Sequence, residues 1–132
     1  MSSASTVRVY DASAILAALF EEPGGTQVSD WLERASGLVS SVTYAEVLAK
    51  LLEHGFMPAD ANATWGDLPL DIEPLSAAQA RAAAGLRPAT QPLGLSLGDR
   101  VCLALARERG LPAVTADRAW ARVGGVEVQL IR

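Results

Sequence analysis

The sequence predicts an α/β fold built on a mainly parallel sheet of five strands. Two patterns predict it. Short apolar runs rich in β-branched residues alternate with longer stretches of helical period along all 132 residues. The first run, Val7–Asp11, ends in an aspartate, and small residues lead straight into an apolar helix. That junction puts Asp11 at the carboxyl end of a strand, the edge where ligands bind in open α/β sheets. Right-handed crossovers then place helices on both faces.

Each element has its own signal. The first helix runs to about Phe20 and stops at Glu21-Glu22-Pro23-Gly24-Gly25. A second, about Thr26 to Ala35, carries Val28, Trp31 and Leu32 at helical spacing. Gly37–Ser40 reads as a second strand. The third helix shows Tyr44, Val47, Leu48, Leu51 and Leu52 as one stripe, and Gly55 ends it. Pro58 opens a helix over about Ala59–Trp65. Leu68–Leu75 holds a proline-flanked strand suited to an edge. Ser76 caps an alanine-rich helix to about Leu86. Gly85–Leu95, with two prolines and two glycines, is expected as the longest loop. Ser96–Arg109 is a strong helix closed by Gly110, and Pro112–Thr115 is a buried fourth strand. Ala116–Trp120 turns into a short helix, and Val126–Ile131 is the last strand. With no repeat, low-complexity tract or internal linker, residues 1–132 are expected to form a single domain.

Composition narrows the function. Half of the residues are hydrophobic and a fifth charged, the balance of an ordinary globular chain. A net charge of −4 and a pI near 4.9 argue against holding nucleic acid by bulk positive charge. They do not argue against a nuclease, whose carboxylates need a cation. One cysteine, Cys102, excludes an internal disulfide and a multi-cysteine zinc site. Its helical apolar setting makes it a core residue. Met1–Thr6 lacks the features of a signal peptide, and no stretch reaches a membrane span of ~18 apolar residues. The expectation is a soluble cytoplasmic protein without membrane contact.

Four acids return to one edge. Asp11 and Asp117 each follow an apolar strand. Glu46 and Asp99 are expected in the first turns of helices that begin at that same edge. Taken singly, each has a plain structural role: Thr43-x-x-Glu46 and Ser96-x-x-Asp99 have the shape of capping boxes, and Asp11 and Asp117 can be N-caps. Capping does not explain their convergence, nor the neighbouring Ser13, Ser96 and Thr115. Crowded carboxylates need positive charge, and an all-oxygen site suits Mg²⁺ or Mn²⁺.

Val9-Tyr10-Asp11-Ala12-Ser13-Ala14, Ala45-Glu46-Val47, Leu97-Gly98-Asp99-Arg100 and Thr115-Ala116-Asp117-Arg118 resemble the four acidic motifs of PIN domains. In order, spacing and length the chain resembles the VapC-type toxins of toxin–antitoxin pairs. The resemblance implies a three-layer α/β/α PIN-like domain and a Mg²⁺- or Mn²⁺-dependent endoribonuclease. It also implies a homodimer, an RNA substrate and a cognate antitoxin. Asp11, Glu46 and Asp99 match the metal-binding acids. Asp117 matches a fourth, more variable position that serves the same catalytic and metal site. The implied products carry a 5′-phosphate and a 3′-hydroxyl.

Other residues have weaker signals. His54, the lone histidine, precedes Gly55 and reads as a helix C-cap, far from the catalytic edge. Trp31 and Trp65 read as core or interface anchors. Arg100 and Arg118 follow site acids and either reach phosphate or pair with a neighbouring carboxylate, salt bridging being the more common fate, and the reading of Trp120 and Arg122, near the same mouth, is open in the same way. Only one lysine, Lys50, is present, so RNA contact falls mainly to arginines. Three competing readings are weaker. A phosphatase of the haloacid-dehalogenase type wants a second acid where Ser13 stands. A receiver-like module wants a phosphoacceptor ending the third strand, which here reads Asp71-Ile72-Glu73-Pro74. A catalytically silent PIN-like binding module is disfavoured by the intact set of four acids.

Overall fold

The structure is a computed structural model and describes residues 6–132. Met1–Ser5, most of the polar start read as carrying no signal peptide, lies outside the described residues. The elements run β1 (Val9–Tyr10), α1 (Ala12–Leu19), α2 (Gly25–Arg34), β2 (Gly37–Ser40), α3 (Ser41–Glu53), α4 (Pro58–Gly66) and β3 (Leu70–Glu73). They continue with α5 (Ala77–Gly85), α6 (Arg87–Thr90), α7 (Leu97–Arg109), β4 (Ala113–Thr115) and β5 (Val128–Leu130). Two 3-10 turns, Gln91–Leu93 and Arg118–Arg122, flank α7 and β4. The strands lie in the order β3-β2-β1-β4-β5, and every pairing is parallel. β3 is an edge, as its flanking prolines require.

Strand alternation splits the core into two. Val9, Leu38 and Ala113 point to one face and pack with α5 and α7, through Ala83, Val101, Leu103 and Leu105. Their neighbours Tyr10, Val39 and Val114 point to the other, against Ile15, Val28, Val47, Leu51 and Trp65 of α1 to α4. The result is a three-layer α/β/α arrangement. The α3 stripe is buried at Val47 and Leu51, while Leu52 at its margin is exposed. Truncating Leu51 to alanine costs about 2–5 kcal/mol.

Trp31 packs by an unusual route. The guanidinium of Arg8, itself buried, lies 4.0 Å over the Trp31 ring, and its Nε donates to Gln129 Oε1 at 2.7 Å. This clamp ties α2 to β1 and β5. The neighbouring Tyr10 hydroxyl is pushed up to about 12 by burial, with Arg8 pulling the other way. His54 caps α3 as expected: its backbone N–H reaches Leu51 O at 3.1 Å and its ring stacks on Phe20.

Three expectations differ from the structure. α3 begins earlier than the Thr43-x-x-Glu46 box implies. Ser40 ends β2 and caps α3 at once, its Oγ accepting the Val42 N–H at 3.2 Å. With no loop between strand and helix, Glu46 falls in the second turn and Thr43 is buried. The span Gly85–Leu95 is not an open loop but α6 followed by a 3-10 turn. Its prolines occupy first-turn positions, where a fixed φ suits the helix, and Leu86, Thr90 and Leu95 are buried. Finally, Trp120 is not at the mouth. It is fully buried in the α5–α7 core, and its indole Nε1 has no hydrogen-bond partner among the described residues.

Candidate active site

The strand order turns at β1. The chain runs outward through β2 and β3, then returns to the other side of β1 as β4 and β5. The crevice beyond the carboxyl ends of β1 and β4 is therefore the switch point of the sheet, where ligands bind in folds of this type.

Asp11 occupies that point. It follows β1 directly and caps α1, Oδ1 accepting the Ala14 N–H at 2.8 Å. The Ser13 hydroxyl donates to the same carboxylate at 2.7 Å, and the Thr115 hydroxyl, at the end of β4, donates to Oδ2 at 2.6 Å. These hydroxyls also hold the next loop: Ser13 Oγ accepts the Ala116 N–H at 2.9 Å and Thr115 Oγ1 the Asp117 N–H at 3.0 Å. One carboxylate thus joins both sides of the switch point. The carboxyl of Asp11 is nonetheless pushed up to about 6, because burial outweighs the hydrogen bonds and Asp99 adds a like charge.

Asp99 sits at the start of α7 in a complete capping box. The Ser96 Oγ accepts its N–H at 3.2 Å, and its Oδ2 accepts the Ser96 N–H at 2.9 Å. The expected capping box is therefore present, and it engages one carboxylate oxygen. Glu46 reaches the same place from α3. Its carboxylate rests against Gly98: a Cβ there would lie 2.6 Å from Glu46 Oε1. Burial raises the Glu46 carboxyl, and the charge of Asp99 raises it further. Beneath them lies the buried thiol of Cys102, pushed well up by burial and then by the charges of Asp11, Asp99 and Glu46. Asp99 thus acts on both Asp11 and Glu46, and the charges of all three, from the end of β1, from α3 and from α7, reach Cys102.

The exposed carboxylate of Asp117 caps the second 3-10 turn, accepting the Ala119 N–H at 3.0 Å. Its link to the cluster is the Thr115 hydroxyl, shared between its backbone and Asp11. Arg100 does not pair with an acid: it is buried, and its Nε reaches back to Ser96 O at 3.4 Å. Among the described residues none of the four acids forms an ion pair.

The donor set fits a hard divalent cation in chemistry: oxygens only, like charges held together, and no cationic side chain to neutralise them. As the side chains lie, no group of three His, Cys, Asp or Glu among the described residues stands close enough to hold a metal ion. The site residue not singled out from the sequence is Gly98. A glycine in the first turn of an otherwise strong helix was the available signal, since helix propensity alone disfavours it there.

The sequence profile of the PIN domain matches residues 8–126. No curated protein sequence matches the chain. Among solved structures, a toxin–antitoxin complex from Klebsiella pneumoniae is similar, with a TM-score of 0.71 and 22% identity over 95% of this chain and 98% of that one. The DNA-bound VapBC of Salmonella typhimurium also has a TM-score of 0.71, with 19% identity over 96% and 99% of the two chains. VapBC-5 of Mycobacterium tuberculosis is 27% identical, with a TM-score of 0.60 and coverage of 96% and 98%. The chain belongs to the PIN-domain family, in the fold seen in solved VapBC toxin–antitoxin structures.

Proposed function

We propose that this chain is a VapC-type toxin, an endoribonuclease that hydrolyses RNA phosphodiesters with the help of Mg²⁺ or Mn²⁺. The observation that carries the proposal is that Asp99 lies within charge range of both Asp11 and Glu46 on the switch-point edge of a PIN domain, with no ion-pair partner among the described residues. These three carboxylates would hold the cation. When bound, it supplies positive charge to the phosphodiester oxygens and a lowered pKa to a coordinated water.

The chain's own residues set the geometry. Ser13 and Thr115 fix the Asp11 carboxylate by donating to both of its oxygens. Asp99 is fixed by its capping box, and the absence of a side chain at Gly98 leaves room for the Glu46 carboxylate. Asp117, held through Thr115, borders the crevice and would orient the attacking water or a second cation. The chain's acidic balance gives weak bulk affinity for RNA, so selection rests on RNA shape and a few unstacked bases.

The proposed partner is an antitoxin, as the VapBC neighbours support. An open groove of about 200 Å³ between α1, α2 and the start of β3, apolar at Ala18, Leu19, Leu32, Leu68 and Pro69 and bordered by Ser29 and Glu33, supports a docking segment with an apolar face. A homodimer in the tens-of-micromolar range is expected by light scattering; a strict monomer overturns that half.

The test of the reaction uses purified protein, Mn²⁺ and an RNA with one 2′-deoxynucleotide at the cleaved position. Cleavage should persist, leave a 5′-phosphate and disappear in Asp99→Asn and in excess chelator. An inert deoxy substrate that still binds, with a 2′,3′-cyclic phosphate from the native cut, would show the 2′-hydroxyl to be the nucleophile and refute hydrolysis by water.

A further inference from the structure

The carboxylates themselves repel the phosphates they are proposed to cut, and any attraction at the centre comes from the bound cation alone. A source of attraction lies beside it. A cleft of about 350 Å³ opens between the two 3-10 turns, lined by Pro92 and Leu93 on one side and Arg118, Ala119 and Arg122 on the other. Both walls lead directly to site acids. Arg118 follows Asp117, and the Pro92–Leu93 wall runs through Leu95 and Ser96 into the first turn of α7, which carries Asp99.

The arginines are free to act and are held in place. Both are exposed, and neither forms an ion pair among the described residues. Arg34, Arg109 and Arg132, by contrast, each pair with an acid. Trp120, between them in sequence, is fully buried, so its indole anchors the short turn in the core. Asp117 caps the start of that turn. Two exposed guanidinium groups are thus carried on an anchored turn, which lowers the backbone part of the ordering cost of binding. Paired guanidinium forks suit phosphate oxygens. The apolar wall of Pro92 and Leu93 suits the face of a sugar or base, and the volume falls in the range of small-ligand pockets.

We propose that this cleft is a flanking-nucleotide subsite. Arg118 and Arg122 grip a backbone phosphate of single-stranded RNA next to the scissile one, and Pro92 and Leu93 receive its nucleoside. The subsite rests on the ribonuclease reading and adds substrate attraction from the chain's own side chains to that of the bound cation. It makes the two arginines binding residues for RNA, while Asp117 positions their turn.

The experiment compares Arg118→Gln/Arg122→Gln with Arg81→Gln/Arg107→Gln, a control with the same change in net charge. Arg81 and Arg107 are exposed, unpaired among the described residues, and away from the cleft. Binding of a 12-nucleotide single-stranded RNA is read by fluorescence anisotropy across salt, in an Asp99→Asn background that leaves the RNA intact. The cleft pair should weaken binding about tenfold or more and flatten the salt slope by about 0.7 for each phosphate no longer neutralised. In the background with Asp99 intact it should raise KM and leave kcat within about twofold. Arg118→Lys/Arg122→Lys should restore most of the salt slope. A single-stranded DNA of the same sequence should share the phosphate-dependent part of the effect.

If the control pair weakens binding equally, the effect is bulk charge and the subsite is refuted. It is also refuted if the cleft pair binds RNA like the unsubstituted protein. The nuclease reading fails separately: a chain that binds RNA through Arg118 and Arg122 but cleaves none with Mn²⁺ keeps the subsite and loses the reaction.

Discussion

Replacing Asp11 with asparagine isolates the cost of burying a carboxylate at the switch point. Asp11 titrates near 6 in the folded chain, against an ordinary 3.8. The folded state therefore holds this proton more tightly than the unfolded state. Stability contributed by the group is fully present below about pH 4 and is lost as pH rises through about 6. The size follows from the difference between 3.8 and 6: at about 1.36 kcal/mol for each unit, the ionised carboxylate costs about 3 kcal/mol at neutral pH. The asparagine side chain carries no such titration. Its amide does place a donor where Ser13 or Thr115 also donates, a fixed penalty of about 1–3 kcal/mol. The penalty does not vary with pH, so the difference between variant and wild type isolates the charge. Urea unfolding in chelator at pH 4, 5, 6, 7 and 8 should show the variant gaining on wild type by about 2.4 kcal/mol, the part of the titration above pH 4, with most of the change between pH 4 and 6. A difference that stays flat across this range would refute the argument that burial, rather than its hydrogen bonds, dominates at Asp11.

Other outcomes follow from the same contacts. Gly98→Ala should raise helix stability by up to about 1 kcal/mol yet push the Glu46 carboxylate aside, lowering kcat about a hundredfold; paired melts and kinetics check it. Saturating Mn²⁺ should stabilise wild type by about 2.7 kcal/mol at a hundred times its Kd, and calorimetry of Asp99→Asn should show weaker binding; equal affinity would remove Asp99 from the ligand set. Cys102, buried with its thiol pushed well up, should react with a thiol reagent only at the rate of unfolding. Thr115→Val should destabilise the chain by about 1–3 kcal/mol, because it leaves the Asp11 carboxylate and the Asp117 amide each short of a partner; denaturant midpoints measure it.

Much of the fold was legible because its signals are local. Short apolar strand runs and helical stripes, Ser76 and Ser96 as caps, and Gly110 as a stop all lie in runs of a few residues. So did the edge on which the acids meet, since parallel strands put every carboxyl end on one side. What was not legible depends on contacts between distant segments. The burial of Trp120 is decided by α5 and α7, not by its neighbours Asp117 and Arg118. The proline-bearing span 87–93 became helical turns because Leu86 and Leu95 are drawn into the core. The start of α3 was misplaced because Ser40 serves as strand end and cap together, a fusion that leaves no turn residues to read. Asp117 is set apart in the sequence as the more variable fourth acid, but its place as the cap of the second 3-10 turn depends on the burial of Trp120.

The two hydroxyls at Asp11 have a polarity that reaches beyond the carboxylate. Ser13 and Thr115 own one hydrogen each, and both spend it on Asp11. Each can therefore only accept from the loop, which it does, from Ala116 and Asp117. The direction of every bond in this chain of contacts is set by a single fact, that residue 11 is an anion with two accepting oxygens. Protonating it turns one acceptor into a donor, and the order downstream no longer closes. The loop that leads to Arg118 is thus registered to the charge on residue 11. An asparagine at position 11 is consequently not a silent way to inactivate the protein while keeping its substrate surface. Asp99→Asn, whose capping bond an amide oxygen can still accept, leaves that registration intact and is the better choice for holding a bound RNA uncut.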